Sequence, residues 1–208
     1  MVYKFLCYTF FMQNNIFKNA IALTGGISTG KSTVCNLLNI RGFLIIDADK
    51  IAHKLLDENS TKIEKLFGKQ YVKDNKVLRK ELGGIIFSNQ ENKLKLEALL
   101  HPLIFQKISK QAKIYEKQNR PYIIDIPLFF EKMHYPVYKS LLVYAPKDLQ
   151  IKRLMKRDNI DENEAKLKIS NQIDIEEKKA LADFIIDNSK DLKHLENEVE
   201  IFVNKILI

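Results

Sequence analysis

At 208 residues, 46% hydrophobic and 29% charged, the chain can bury a sizeable core, which excludes a disordered polymer. No apolar run approaches the roughly 18–20 residues that a bilayer span needs, so an integral membrane protein is excluded as well. The formal net charge of +8 and the pI near 9.3 suit an anionic partner, either nucleic acid or a small molecule bearing polyphosphate, without choosing between them. Cys7 and Cys35 are the only cysteines, which rules out a disulfide framework and a metal–thiolate spacing and fits a reducing cytoplasm.

In chain order, "MVYKFLCYTFFMQNN" places Lys4 before an apolar stretch, as in a secretory leader. Tyr8 and Thr9 break that stretch and no small-x-small cleavage site follows, so residues 1–19 read as an N-terminal extension, with Met12 as an alternative start. Short runs rich in branched residues then alternate with helical stretches, the pattern of a parallel α/β sheet covered on both faces. The strands are "AIALT" (20–24), "FLIID" (43–47), "YIIDI" (122–126), "SLLVYA" (140–145) and "FIID" (184–187). "KSTVCNLLNIRG" follows the first strand, with Val34, Leu37 and Leu38 at helical spacing and Gly42 as its terminator.

Between the second and third strands lies more chain than one crossover needs, and it reads as an inserted, mostly helical subdomain at about 51–120. Its helices are "KIAHKLLDE", "KELGGIIFSNQENKLKLEALL" and "HPLIFQKISKQAKIYEKQ", with Pro102 in the first turn of the last, where a missing N–H costs nothing. A second helical excursion, about 148–183, precedes the fifth strand, and "DENE" (161–164) opens one of its helices as a capping box.

"GGISTGKS" fits G-x-x-x-x-G-K-[ST], with Gly25, Gly30, Lys31 and Ser32 at the fixed places. Glycines let successive N–H groups turn inward toward phosphate oxygens, and the helix that follows adds its N-terminal partial charge. Gly26, Ile27, Ser28, Thr29, Gly30, Lys31, Ser32 and Thr33 are the candidate ATP contacts, although the loop alone fits a kinase, a GTPase or a fragment of a larger motor; Lys31 can reach the β- and γ-phosphates, and the Ser32 hydroxyl can ligate Mg²⁺. The alternative is a glycine turn without a ligand, which the strand before and the helix after disfavour. No "NKxD"-type guanine reader follows; "DNSK" is the nearest string and does not match it.

Asp47 and Asp49 stand just past the second strand, at the carboxyl ends of the strands where ligands of open α/β sheets collect. A carboxylate there can accept the proton of an attacking hydroxyl, and the competing role for Asp49 is to cap the helix that follows. Arg153 and Arg157 lie four apart on one helical face, either to grip phosphates or as a solvated basic surface. Asp125 ends the third strand, either as a carboxylate reaching Mg²⁺ through water or as a turn residue. His101 is a ligand contact or a packing histidine.

In this order and spacing, "ALTGGISTGKST", "IIDADKIAHK", "LEALLHPLI", "DIPLFFEK", "RLMKRD" and "EEKKALADFIIDNS" resemble the dephospho-CoA kinase family from about Ile21 to Ser189. The resemblance implies a three-layer P-loop kinase fold with a five-stranded parallel sheet, a helical substrate subdomain and a helical lid. It implies transfer of the ATP γ-phosphate to the ribose 3′-hydroxyl of dephospho-CoA, with Mg²⁺. Asp49 matches the family's catalytic base, Lys31 its loop lysine and Arg153 an arginine near the phosphates, while Arg157 falls on the lid. His101, Pro127 and Leu128, together with Asp49, fall on the acceptor side.

One departure is Ser28-Thr29, where the family often carries a glycine–serine pair; backbone cradling tolerates the change if neither residue needs a positive φ. The partners expected are ATP and dephospho-CoA, with no nucleic acid and no membrane, for a monomer or small homo-oligomer. The alternatives are another P-loop nucleotide or small-molecule kinase, and a nucleic-acid module. The dispersal of Lys and Arg among Asp and Glu in "DENEAKLK" and "DIEEKKALAD" disfavours the module.

Overall fold

The computed structural model describes residues 17–132 and 135–207, so most of the expected N-terminal extension, residues 1–16, lies outside the described residues. Five parallel strands form the main sheet: β1 Ala20–Gly25, β2 Ile45–Asp47, β5 Tyr122–Asp125, β6 Lys139–Tyr144 and β7 Phe184–Asp187. Their order is β2-β5-β1-β6-β7. β1 is central, with Ala20 against Tyr122 and Leu23 against Asp125 on one side, and Ile21 against Lys139 and Gly25 against Val143 on the other. The chain crosses first to one side of β1 and later to the other, so β1 ends at the switch point of a doubly wound sheet, where a crevice opens. The parallel α/β expectation is met, strand for strand.

Helix α1, Lys31–Ile40, follows β1 and ends as its sequence dictates. Gly42 takes φ +84°, its N–H donates to the Asn39 carbonyl at 2.9 Å, and the Phe43 N–H donates to Leu38 at 3.1 Å. This double closure satisfies the last carbonyls, and Phe43 and Leu38 are buried in one cluster with Leu23, Leu141, Val143, Val199 and Phe202. α10, Leu192–Leu207, supplies Leu195, Val199, Phe202 and Val203 to that core. Glu116 clamps the entry to the sheet, accepting from the Asn19 N–H and side chain at 2.9 and 2.7 Å and from the Tyr122 hydroxyl at 3.0 Å. Burial and that carboxylate push the Tyr122 phenol far up.

The described residues divide into two units: 17–46 with 112–207, and 47–111. The second contains α2 Ala48–Glu58, α3 Ser60–Phe67, a 3₁₀ turn at Lys69–Tyr71, β3 Val72–Lys73, β4 Lys76–Val77, α4 Arg79–Ser88 and most of α5 Gln90–Glu116. It buries apolar side chains of its own, among them Leu56, Ile63, Val77, Leu82 and Ile104.

Two features depart from the expectations drawn from the sequence. The helix break falls at Asn89 instead of before His101, and Pro102 sits in the middle of the 27-residue α5. Asn89 is extended, and its side-chain oxygen accepts from the N–H groups of Glu91 and Asn92, so it opens α5 as a cap. Across Pro102 the stripe Leu100, Ile104, Ile108 and Ala112 stays buried at steps of four, and that packing outweighs the one lost N–H. The second feature is the β3–β4 hairpin, in which Lys73 pairs with Lys76 across Asp74 and Asn75 at φ +50° and +59°. Two consecutive left-handed residues make the turn whose twist matches a two-residue hairpin, and Asp-Asn suits it.

Candidate active site

Gly30 caps α1 at φ +90°, and a Cβ there would run into the Asn188 side chain. Glycine is therefore required twice over, by conformation and by space. Ser28 also lies in the left-handed region, at φ +59°, so the condition that neither Ser28 nor Thr29 needs a positive φ is not met at Ser28. Its Oγ is buried without a hydrogen-bond partner among the described residues. Both features cost energy, about 1 kcal/mol or more each. Ser28→Gly is expected to raise the melting temperature of the nucleotide-free protein by about 2–4 °C. Because backbone N–H groups cradle phosphate, ATP affinity in the same variant should stay within about twofold.

The peptide planes of the loop are pinned from several elements. The Thr29 hydroxyl donates to the Gly26 carbonyl at 2.9 Å, and the Ile27 N–H donates to Gln172 Oε1 at 3.0 Å. Asn188, at the end of β7, donates from Nδ2 to the Thr29 carbonyl at 2.7 Å. Lys178, in α9 (Ile175–Leu181), donates to the Gly25 carbonyl at 3.2 Å. Gly26 is closed in by Gln150, whose Oε1 would stand 2.6 Å from an added Cβ. Gln150 is itself fixed through Nε2 to the Ala145 carbonyl at 2.8 Å. An anion site whose amides are already oriented loses little freedom when it binds.

Lys31, the first residue of α1, forms an ion pair and hydrogen bond with Asp125 at the end of β5. The Cys35 thiol stands 3.4 Å from the other Asp125 oxygen. Ser32 is exposed in the first turn of α1. Among the described residues no group of three or more His, Cys, Asp or Glu side chains could hold a metal ion. A hydroxyl and one carboxylate are hard oxygen donors that fit Mg²⁺, an ion that keeps several waters and takes most other ligands from phosphate.

Beside the loop lies a cavity of about 290 Å³ whose lining includes Gly30, Thr33, Arg153, Asn188, Lys190 and Leu192. Arg153, on α7 (Lys147–Asp158), donates from Nη2 to the Asn188 carbonyl at 3.0 Å, while its Nη1 is buried without a partner among the described residues. Arg157, one turn on, is more than half exposed and forks onto Asp158 at 2.7 and 3.2 Å. That hydrogen bond raises the Arg157 pKa and lowers that of Asp158. The structure brings Arg153 to the loop's cavity and leaves Arg157 outside its lining.

α7 and α8 (Glu162–Ser170) share the buried cluster Ile151, Leu154, Ala165 and Ile169, against which Ile27 of the loop packs. Asp161 caps α8 by accepting from the Glu164 N–H at 2.8 Å, as the capping box predicts. The Tyr144 hydroxyl donates to Glu176 at 2.7 Å, which pushes its pKa up to about 12. The loop after β5 is tied to β1 by the Thr24 hydroxyl, which donates to the Pro127 carbonyl at 2.9 Å. Pro127 and Leu128 thus hold a fixed place before α6, Phe129–Lys132.

In the second unit the helix cap is Asp47, not Asp49. Asp47 Oδ1 accepts from the Lys50 N–H at 2.8 Å, and α2 begins at Ala48. Asp49 stands exposed in the first helical turn, so the capping role considered for it belongs to its neighbour. His101 is half-buried within α5, one residue after Leu100 of the buried stripe.

Asn188, Lys178, Gln150, Gln172 and Glu131 have no role that the sequence alone reveals, although three of them fall inside family motifs: Glu131 in "DIPLFFEK", and Lys178 and Asn188 in "EEKKALADFIIDNS". Amide side chains and a buried lysine carry no spacing signature; their function exists only through partners far along the chain.

The sequence pattern of the dephospho-CoA kinase family matches residues 19–194. A dephospho-CoA kinase of Helicobacter pylori strain J99 is 48% identical over 195 residues, 92% of this chain and 100% of that relative. Its counterpart in Sulfurimonas denitrificans is 48% identical over 190 residues, 91% of this chain and 95% of the relative. Among solved structures, a dephospho-CoA kinase from Campylobacter jejuni is 42% identical with a TM-score of 0.72, covering 90% of this chain and 96% of that one. With nearly all of each relative spanned, the glycine loop, its lysine and the five-stranded sheet lead to one conclusion: the chain belongs to the dephospho-CoA kinase family.

Proposed function

We propose that the chain transfers the γ-phosphoryl group of ATP to the ribose 3′-hydroxyl of dephospho-CoA, giving coenzyme A and ADP. The observation that carries this reading is the phosphate loop, with its oriented amides and with Lys31 held at Asp125, in a chain of a kinase family. Lys31 moves from Asp125 to the β- and γ-phosphates when nucleotide enters, exchanging one anionic partner for another. The nucleoside occupies the cavity beside Gly30 and Thr33, where the buried Arg153 Nη1 supplies an unused donor.

Ser32, and Asp125 through water, would hold Mg²⁺, which neutralises charge on the phosphates when bound. Asp49 orients the ribose hydroxyl and takes its proton as the oxygen attacks phosphorus, while the bond to the ADP oxygen breaks. Pro127, Leu128 and His101 belong to the acceptor side, and the segment about 148–183 acts as a lid, with Arg157 on it, that excludes water from the γ-phosphate. No helix among the described residues is long and apolar enough to cross a membrane. A reducing cytoplasm suits a chain with two cysteines, of which Cys35 is in no disulfide.

An acceptor panel read by ADP release tests the substrate. Dephospho-CoA is expected to give the dominant rate with Mg-ATP. A panel in which adenylate, nucleosides or pantothenate derivatives turn over while dephospho-CoA is inert would transfer the assignment to another kinase of this fold.

A further inference from the structure

Lys178 has no solvent-exposed side-chain surface, an unusual place for an ammonium. It forms a 2.6 Å ion pair with Glu131 Oε1 and donates to the Gly25 carbonyl at 3.2 Å. Glu131 Oε1 also accepts from the Ile173 N–H at 3.3 Å, and Oε2 is buried without a hydrogen-bond partner among the described residues. The pair therefore joins three segments: the first turn of the phosphate loop, α6 directly after Pro127 and Leu128, and the stretch that leads from α8 into α9.

The Gly25 carbonyl is a telling partner. In a planar trans peptide the C=O of Gly25 and the N–H of Gly26 point in opposite directions, so fixing one fixes the other. Both flanking residues are glycines, which offer little resistance to rotation of that plane. The next plane is already held by Thr29 and Gln172 on its two sides, and the plane between Thr29 and Gly30 by Asn188. The Gly25–Gly26 plane, where β1 ends in register with Val143 of β6, takes a side-chain anchor from Lys178. A surface lysine would hold it weakly, because water competes. A desolvated ammonium neutralised by Glu131 makes a stronger, charge-assisted bond.

We infer that Lys178 and Glu131 form a positioning pair for phosphoryl transfer: Glu131 balances the charge of the ammonium in the interior, and the ammonium fixes the Gly25 carbonyl so that the loop leaves β1 in one direction and its later amides face the triphosphate. This rests on the phosphoryl-transfer reading above and adds two residues to it. The pair touches neither phosphate nor acceptor; it acts through the loop backbone.

Removing one partner strands a buried charge, so Lys178→Met alone can fail to fold. Lys178→Met combined with Glu131→Gln leaves no charge behind and keeps an acceptor for the Ile173 N–H. The double variant is expected to melt cooperatively near the wild-type temperature, to bind Mg-ATP about tenfold more weakly, and to turn over about ten- to a hundredfold more slowly with dephospho-CoA. Wild-type ATP affinity and turnover in a folded double variant would reduce the pair to a packing contact and overturn the inference.

Should the double variant not fold, the charge-conserving Glu131→Asp decides. Its carboxylate, one methylene shorter, draws the ammonium away from the Gly25 carbonyl; ATP affinity is expected to fall several-fold, and unchanged affinity would overturn the inference. ATP affinity is measured without acceptor. A wild-type protein inert toward dephospho-CoA would therefore sink the substrate reading and leave the role of the pair to be decided by nucleotide affinity alone.

Discussion

Asp49→Asn is expected to lower turnover of dephospho-CoA about a thousandfold while Mg-ATP affinity stays within about twofold, the signature of a lost general base. The amide keeps the size of the carboxylate and its place in the first turn of α2, so the helix and the nucleotide half of the machinery are left alone. What disappears is the lone pair proposed to take the hydroxyl proton. Asp47 provides the internal control, because it caps the helix through the Lys50 N–H at 2.8 Å. Asp47→Ala should cost about 1 kcal/mol of stability and keep turnover within about threefold. If instead Asp49→Asn retains near wild-type turnover in steady-state assays, the proton is taken elsewhere.

Lys31→Met should act on binding and chemistry together. Loss of the charge-assisted contacts to phosphate is expected to weaken Mg-ATP binding roughly ten- to a hundredfold and to lower turnover about a hundred- to a thousandfold. It also leaves Asp125, 11% exposed, without its ammonium in the nucleotide-free protein. The expected loss of stability is about 2 kcal/mol. That is below the roughly 3–5 kcal/mol typical of a fully buried pair because one-fifth of the Lys31 side chain meets water. Adding Asp125→Asn should recover the stability and none of the turnover. Denaturant unfolding of the three proteins beside their steady-state rates separates the two effects; a double variant that regains activity would show that Lys31 serves the fold alone.

These expectations depend on residues that differ in how visible they are along the chain. The strands and the glycine loop are local: "AIALTGGISTGKST" carries its own strand, its own turn residues and its own helix start, and the structure keeps each of them. The Gly42 terminator and the Asp161 cap are equally local, since each binds groups within a few residues. Pro102 misleads because proline is a local helix signal that a long-range apolar stripe overrides, and Leu100, Ile104 and Ile108 outweigh one missing N–H. Ser28 looks like an innocent substitution in a backbone-lined loop, yet the loop's closure places it at φ +59°.

The least visible part is the scaffold that aims the amides. Asn188 is 159 residues from Thr29, and Lys178 is 153 from Gly25. Nothing near either in sequence says that it will bind a carbonyl, because sheet order, not spacing, brings β7 and α9 to the loop. A lysine in a helix with Glu176, Glu177 and Lys179 reads as solvated surface until the fold closes over it.

Phosphoryl transfer to the ribose is tested most directly by a single-turnover reaction of the wild-type protein with γ-labelled Mg-ATP and dephospho-CoA, followed by locating the label. Label is expected on the ribose 3′-oxygen of newly formed coenzyme A, with little inorganic phosphate released on the same timescale. Label found mainly as inorganic phosphate, or on another atom of the acceptor, would overturn the proposed reaction.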